Sequence, residues 1–395
     1  MHVMPGEIKM WPSTVLPTGW LFCNGQTLDI SAYTPLFNII GNRYGGDGIT
    51  KFRLPDYRGK IICGGVYTTD AGTVSELCAG TGLTQRTEYT ATQQVLPATT
   101  EWSAVCYGNN IWIAVSYTNP SVVAKSTDGG KTWSQKTIPG GYYKSVKYGN
   151  GVFVALAQGN TTATSTDGET WTLHTHAFSS YWSSMDYGDG YFIAVAVLTN
   201  MAIRSTDGIN WTQLTMPVTA NWNAICFGEN GTWVAVTDGA PAARTTDNGN
   251  TWSSFNMPSN SNWLSVAYGN KIFLAVGLNG GASNIAATTS NMGVTWTARE
   301  LPEYDIWFTV TFGNGVFVLA AYLSDKALTT TNGLVWTQRA LPVSTTWYNV
   351  GYGNKNFVAV GYGTATAALI DGISNSPQMI DTNFIISYTG QVVSY

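Results

Sequence analysis

Hydrolysis of a glycosidic bond needs two carboxyl groups at a set separation, one to protonate the leaving oxygen and one to attack or to activate water. Glu303, Asp305 and Asp325 could supply such a set, so a polysaccharide-degrading glycosidase is one function to weigh. His174-Thr175-His176 places two imidazoles on one face of a strand. The only further histidine is His2, so one chain lacks the ligands for a metal site, although a trimer could gather them from three copies. The pair reads as a solvated strand edge, and no metal or cofactor is expected. The five cysteines are odd in number and have no C-x-x-C spacing, which argues against disulfides and structural zinc. Cys106 and Cys226 fall at the same place in two apolar strands and read as small core residues. Tyr44-Gly45-Gly46-Asp47-Gly48 is Gly-rich, but no Lys-Ser/Thr or strand–loop–helix pattern follows, so it is no phosphate cradle.

The elements that must position these residues follow from a repeat. A block of about forty residues recurs seven times between Trp102 and Ala368, and a period in this range marks a repeat architecture. The copies open on Trp102, Tyr143, Trp182, Trp222, Trp263, Trp307 and Trp347, 39 to 44 residues apart. Each runs on to an aromatic-Gly pair and then to an aromatic followed by an apolar triplet. In the first copy, 103–107, 111–116, 122–126 and 132–136 read as four strands joined by turn signals. Four short antiparallel strands per repeat, seven times over, predict a mainly β fold: a seven-bladed β-propeller with four-stranded antiparallel blades.

Most copies close on a Ser/Thr-x-Asp-x-Gly-type turn and a Trp. Asp128, Asp167, Asp207 and Asp247 occupy the acidic position, and Asn291 and Asn332 replace it in two later copies. A side-chain oxygen there can accept bonds from the backbone N–H groups of its own turn, which Asn does as well as Asp. The role expected is therefore structural. The last copy has Asp371-Gly372 with no Trp after it, but Thr92–Pro97 matches Thr337–Pro342 in pattern and in distance from the next opening Trp. Residues 91–97 are thus expected as the outer strand of the seventh blade, closing the ring and leaving no exposed edge. The propeller then spans 91–371, preceded by a module at 1–62 and a linker at 63–90, and followed by a tail at 372–395 in which Asn383–Tyr388 reads as one more strand, suited to a subunit contact.

Of 395 residues, 44% are apolar and 11% charged, with a net charge of −4 and no Lys/Arg run. Nucleic acid is not expected as a partner, and no run of eighteen apolar residues predicts membrane insertion. The N-terminus has no signal-like segment, so synthesis in a cytoplasm is expected.

The closing turns resemble the Asp-box (BNR repeat) of sialidase-type propellers over six of the seven repeats. A sialidase of that kind also needs an arginine cluster and typically a Tyr nucleophile. Arg204 and Arg244, with Lys125 in a third repeat, instead occupy equivalent third-strand positions on the blade surface. Residues 4–60 carry Gly6-Glu7-Ile8, Gly19-Trp20, Cys23-Asn24-Gly25-Gln26, Leu36-Phe37, Leu54-Pro55-Asp56 and Arg58-Gly59. This set resembles the phage tail collar domain, with Asn24 where Asp is common. The resemblance implies a virion protein of the tail, tail fibre or baseplate, with other tail or baseplate proteins as partners, and a homotrimeric or particle-attached assembly. Asp56 and Arg58 could form a local ion pair.

The function expected is thus that of a phage virion structural protein, attached by its collar-like module, whose propeller recognises a host cell-surface receptor, a glycan above all. No catalytic residue is expected; a purely architectural protein and the glycosidase are the alternatives. The opening aromatics near the channel mouth could stack on sugars or could pack between blades. The receptor-binding candidates are Tyr181, Trp182, Asn221, Trp222, Asn262, Trp263, Glu303, Tyr304, Asp305 and Trp307, with Asp238 and Asp325 in the adjoining loops.

Overall fold

A computed structural model of the chain describes residues 5–11, 16–56, 89–371 and 383–387. The chain divides into two units, 1–85 with 376–395, and 86–375. The expected linker at 63–90 falls almost wholly outside the described residues, as do Arg58, Cys63, Cys78 and His2.

The first unit is built from both ends of the chain. Strands Ile8–Trp11 and Trp20–Phe22 do not pair with each other; Asn383–Ser387 lies between them, antiparallel to both. The tail strand thus meets its own chain's N-terminal unit, where a subunit contact was expected. Thr27–Asp29 pairs with Lys51–Arg53, and the helix Thr34–Ile40 sets Leu36 on a small core of Cys23, Leu28, Phe52 and Leu54. The Gly-rich run 44–48 forms a turn. Asp47 accepts bonds from the N–H groups of Ile49, Thr50 and Lys51 and from the Thr50 hydroxyl, all of which hold its carboxyl well below the usual range. Gly46, at φ +106°, lies where a Cβ would stand 2.5 Å from Lys51 O and Phe52 Cα.

The second unit is a β-propeller of six hydrogen-bonded sheets. Five are four-stranded and meander in chain order, such as Tyr143–Gly149, Val152–Ala157, Gly159–Ser165 and Thr172–Ser180. The sixth has six strands, in the order Trp347–Gly353, Asn356–Asp371, Thr90–Gly108, Ile111–Ser116, Val122–Ser126 and Ser134–Thr137. In it, Thr366–Asp371 pairs with Thr90–Val95, and Trp102–Gly108 pairs with Ile111–Ser116. The pairs Tyr362–Glu101 and Thr364–Thr100 join those two ladders, so seven repeats occupy six sheets. The opening strands of the seven repeats stand side by side in a closed circle, Trp347–Gly353 lying next to Thr90–Gly108.

Packing between neighbouring sheets explains the repeat. Second strands such as Val152–Ala157 and Tyr191–Ala196 are buried almost throughout, because both faces of each sheet are covered; their apolar triplets therefore run on without alternation. The aromatic-Gly pair is an interlock. A Cβ added at Gly108, Gly149, Gly188, Gly269, Gly313 or Gly353 would meet the ring of Tyr148, Tyr187, Phe227, Phe312, Tyr352 or Tyr107, respectively, at 2.0 to 2.2 Å. Each glycine thus receives the aromatic of the next repeat's pair; Gly228 departs, facing Phe273.

Candidate functional site

The opening aromatics belong to the scaffold. Trp102, Tyr143, Trp182, Trp222, Trp263, Trp307 and Trp347 are all fully buried. Several close the connection that precedes them: the Trp102 indole donates to Ala98 O at 3.1 Å, that of Trp307 to Glu303 O at 3.2 Å, and the Tyr143 hydroxyl to Pro139 O at 2.5 Å. Trp182, Trp222, Trp263 and Trp307 therefore leave the set of receptor-binding candidates, since no ring face is open to a ligand.

The closing turns are built as their spacing predicts. Asp128 accepts from Ser126 Oγ, from the N–H groups of Lys131 and Thr132, and from Thr132 Oγ1. Asp167, Asp207 and Asp247 repeat the pattern. Asn291 accepts from Thr289 Oγ1 and Thr295 N, and Asn332 from the N–H groups of Leu334 and Val335. The basic third-strand residues tie each sheet to the next turn: Lys125 pairs with Glu169, while Arg204 donates to Asn248 O and Arg244 to Met292 O.

The other candidates divide. Glu303 and Asp305 meet the single ammonium of Lys326, at 2.6 and 3.8 Å; Asp305 also accepts from Ile306 N and Ser324 Oγ. Neither they nor the exposed Asp325 lines the central channel. Tyr304 is exposed. The histidines are no pair: His174 bonds to Thr164 Oγ1, whereas His176 is buried against Phe178, Trp182 and Trp211. The solvated edge expected there is a packed seam at His176. Among the described residues no cluster of His, Cys, Asp and Glu is arranged to hold a metal.

The seven opening strands enclose a channel of about 650 Å³. Its wall is polar, and small side chains cross-link the strands. Ser103 Oγ donates to Tyr143 O, Ser184 Oγ accepts from Ile225 N, and Asn349 Oδ1 accepts from Val105 N. Lys147 and Asp186 form an ion pair at 3.0 Å, and Asp186 also accepts from Phe227 N. Burial opposes the Lys147 charge, but Asp186 outweighs it and raises its pKa.

Phe308, Tyr348 and Lys144 bring aromatic rings and a cation to this wall, and further tyrosines stand behind them. The residue after each opening aromatic is Ser103, Lys144, Ser183, Asn223, Leu264, Phe308 or Tyr348, and all seven line the channel. From four consecutive repeats an aromatic arc assembles. Tyr322 contacts Phe308, Phe308 contacts Tyr348 at 4.7 Å between ring centres, and Tyr348 stacks on Tyr362 at 4.8 Å and 24°. The Lys144 ammonium donates to the Tyr348 hydroxyl and lies 4.7 Å from that ring's centre and 5.4 Å from that of Tyr117, which in turn meets Tyr142. Burial and a bond to Glu101 push the Tyr362 hydroxyl's pKa up. Tyr181, an expected candidate, also lines the channel and is exposed.

Two more repeats contribute a carboxamide cluster. Asn221 Nδ2 donates to Asp238 Oδ2 at 3.0 Å; Asn223 Nδ2 donates to Asp238 Oδ1, to Asn262 Oδ1 at 2.9 Å and to Trp263 O at 3.0 Å. Asn221, Asn262 and Asp238 are thus brought together as candidates, and Asn223 joins them. The residues missed from sequence, Lys144, Asn223, Phe308 and Tyr348, follow the opening aromatic instead of preceding it. Their variability inside an otherwise constant strand was the available signal, because a position that packing fixes would not range from Ser to Tyr.

The comparisons complete this picture. Residues 6–62 match the phage tail collar domain. That domain suggests a structural protein of the phage tail and the virion as its place. No curated protein matches the chain in sequence. Among solved structures, the propeller is similar to virginiamycin B lyase from Staphylococcus aureus, at 12% identity and a TM-score of 0.64, over 72% of this chain and 99% of that one. It is also similar to YCF48 from Cyanidioschyzon merolae, at 13% identity and 0.57, over 71% and 98%. A third is the Pan2 WD40 domain of Neurospora crassa, at 7% and 0.57, over 75% and 97%. These are likenesses of fold.

Proposed function

We propose that this phage tail structural protein is held in a tail, fibre or baseplate by its collar unit, and that its propeller recognises a host-surface glycan at the channel wall. The observation that carries this reading is that Phe308 and Tyr348, in ring contact with each other and backed by Tyr362, share one channel with Lys144 and with Asn223 of the Asn221–Asp238–Asn262 cluster. Pyranose rings present an apolar face and a rim of hydroxyls, and such a surface answers both. The site is read as one of binding, with Glu303 and Asp305 engaged on Lys326.

In this reading the ring counts seven blades, the six-stranded sheet being two blades joined at Tyr362–Glu101 and Thr364–Thr100. The turns at Asp128, Asp167, Asp207 and Asp247 are Asp-boxes, the arrangement being that of a capped turn. Binding of the full-length protein to susceptible cells tests the receptor reading. The wild type is expected to bind and Tyr348→Ala/Asn223→Ala to lose adhesion. Absence of binding to every susceptible host would leave an architectural tail protein.

A further inference from the structure

We infer that the glycan this site takes is acidic: a sugar acid whose carboxylate pairs with Lys144 while its ring lies on the aromatic arc. The inference rests on the receptor reading above and deepens it.

Lys144 stands out among the lysines whose side chains are described. Lys51, Lys125, Lys136, Lys147, Lys271 and Lys326 each have a carboxylate partner, and Lys131 and Lys355 are exposed. Lys144 is half-buried, and among the described residues its contacts are the hydroxyl of Tyr348 and the faces of two tyrosines. Aromatic faces attract a cation but do not neutralise it. An ammonium has three donors, and one is spent on Tyr348. A cation partly withdrawn from water and lacking a counter-ion is a built socket for an anion.

The surroundings narrow the anion's class. Phe308 and Tyr348, both half-buried on the channel wall, bring aromatic surface next to the charge. Ser103, Ser183 and Asn223 line the same channel, and their side-chain oxygens can accept bonds from hydroxyl donors. One carboxylate, an apolar ring face and several hydroxyls together describe a hexuronate or a related sugar acid.

The test uses the full-length protein with oligogalacturonate and oligoglucuronate, each compared with the same oligosaccharide after reduction of its carboxyls to alcohols. Reduction is expected to weaken binding about tenfold or more, the size of one charged hydrogen bond. Lys144→Met should lose that preference without losing the residual affinity for the reduced form. Lys144→Arg should keep it, and Lys131→Met, on an exposed turn, should match the wild type. Equal affinity for native and reduced forms, or no affinity for either while the protein still binds host cells, overturns the inference and leaves the receptor reading standing. Failure to bind host cells at all overturns the receptor reading itself.

Discussion

The ring of Tyr107 lies against Gly353, so that the first repeat's aromatic fills the gap left by the missing side chain of the seventh's glycine. The same contact recurs from repeat to repeat, and this one closes the circle.

Filling that gap should open the ring. A Cβ on Gly313 would sit 2.0 Å from the Tyr352 ring, a clash that only displacement of a packed aromatic can relieve. Gly313→Ala should cost about 3 kcal/mol or more, as severe overpacking does. Gly151→Ala meets nothing within 4 Å, though its φ of +81° is strained for alanine; it should cost about 1 kcal/mol. Denaturant midpoints of the two variants measure the difference, and equal midpoints would refute the interlock.

Asp128→Ala should destabilise by about 1–2 kcal/mol, the cost of a lost cap. Asp128→Asn should cost less than half of that, because Asn291 holds the equivalent turn. Slight burial pushes the Asp128 carboxyl the other way, but bonds from Thr132, Ser126 and Lys131 hold its pKa down at about 2, and Asp207 likewise sits at about 2. A carboxyl lowered on folding contributes stability that is complete above its unfolded value of about 3.9 and fades as pH falls towards about 2. Melting temperature should therefore drop over that window, less steeply in Asp128→Ala.

The opening aromatics should separate by their donors. The hydroxyl of Tyr143 bonds to Pro139 O, so Tyr143→Phe should cost about 1 kcal/mol with no loss of ring packing. Trp102→Phe gives up the bond to Ala98 O, whereas the Trp222 indole nitrogen has no hydrogen-bond partner among the described residues. Thermal unfolding should rank Trp102→Phe below Trp222→Phe by about 1 kcal/mol.

Burial lowers the pKa of His176. Folding thus disfavours its protonated form, and the stability this gives is present above the unfolded value of about 6.5 and lost as pH falls below it. His176→Gln should flatten the melting temperature between pH 7 and 5. An unchanged slope would show that His176 titrates as in the unfolded chain.

The repeat was legible because packing demands it: each opening aromatic, each aromatic-Gly pair and each apolar triplet answers to a neighbouring sheet. The start of Thr90–Gly108 was legible for the same reason, since Thr92–Pro97 copies the outer strand at Thr337–Pro342. The channel wall was harder to read. Lys144 meets Tyr348 from a distant repeat, past Ser103, and no local pattern couples them. The place of Asn383–Ser387 was illegible in a different way, for a lone five-residue strand carries no sign of which edges will receive it.

That strand sets an order on biosynthesis. Chains are made from the N-terminus, and domains fold as they emerge. Ile8–Trp11 and Trp20–Phe22 leave the ribosome first, yet the strand that fits between them is translated after the whole propeller. A product cut short anywhere in the propeller leaves this sheet unfinished. The first unit can therefore complete its sheet only after translation has run through to Ser387.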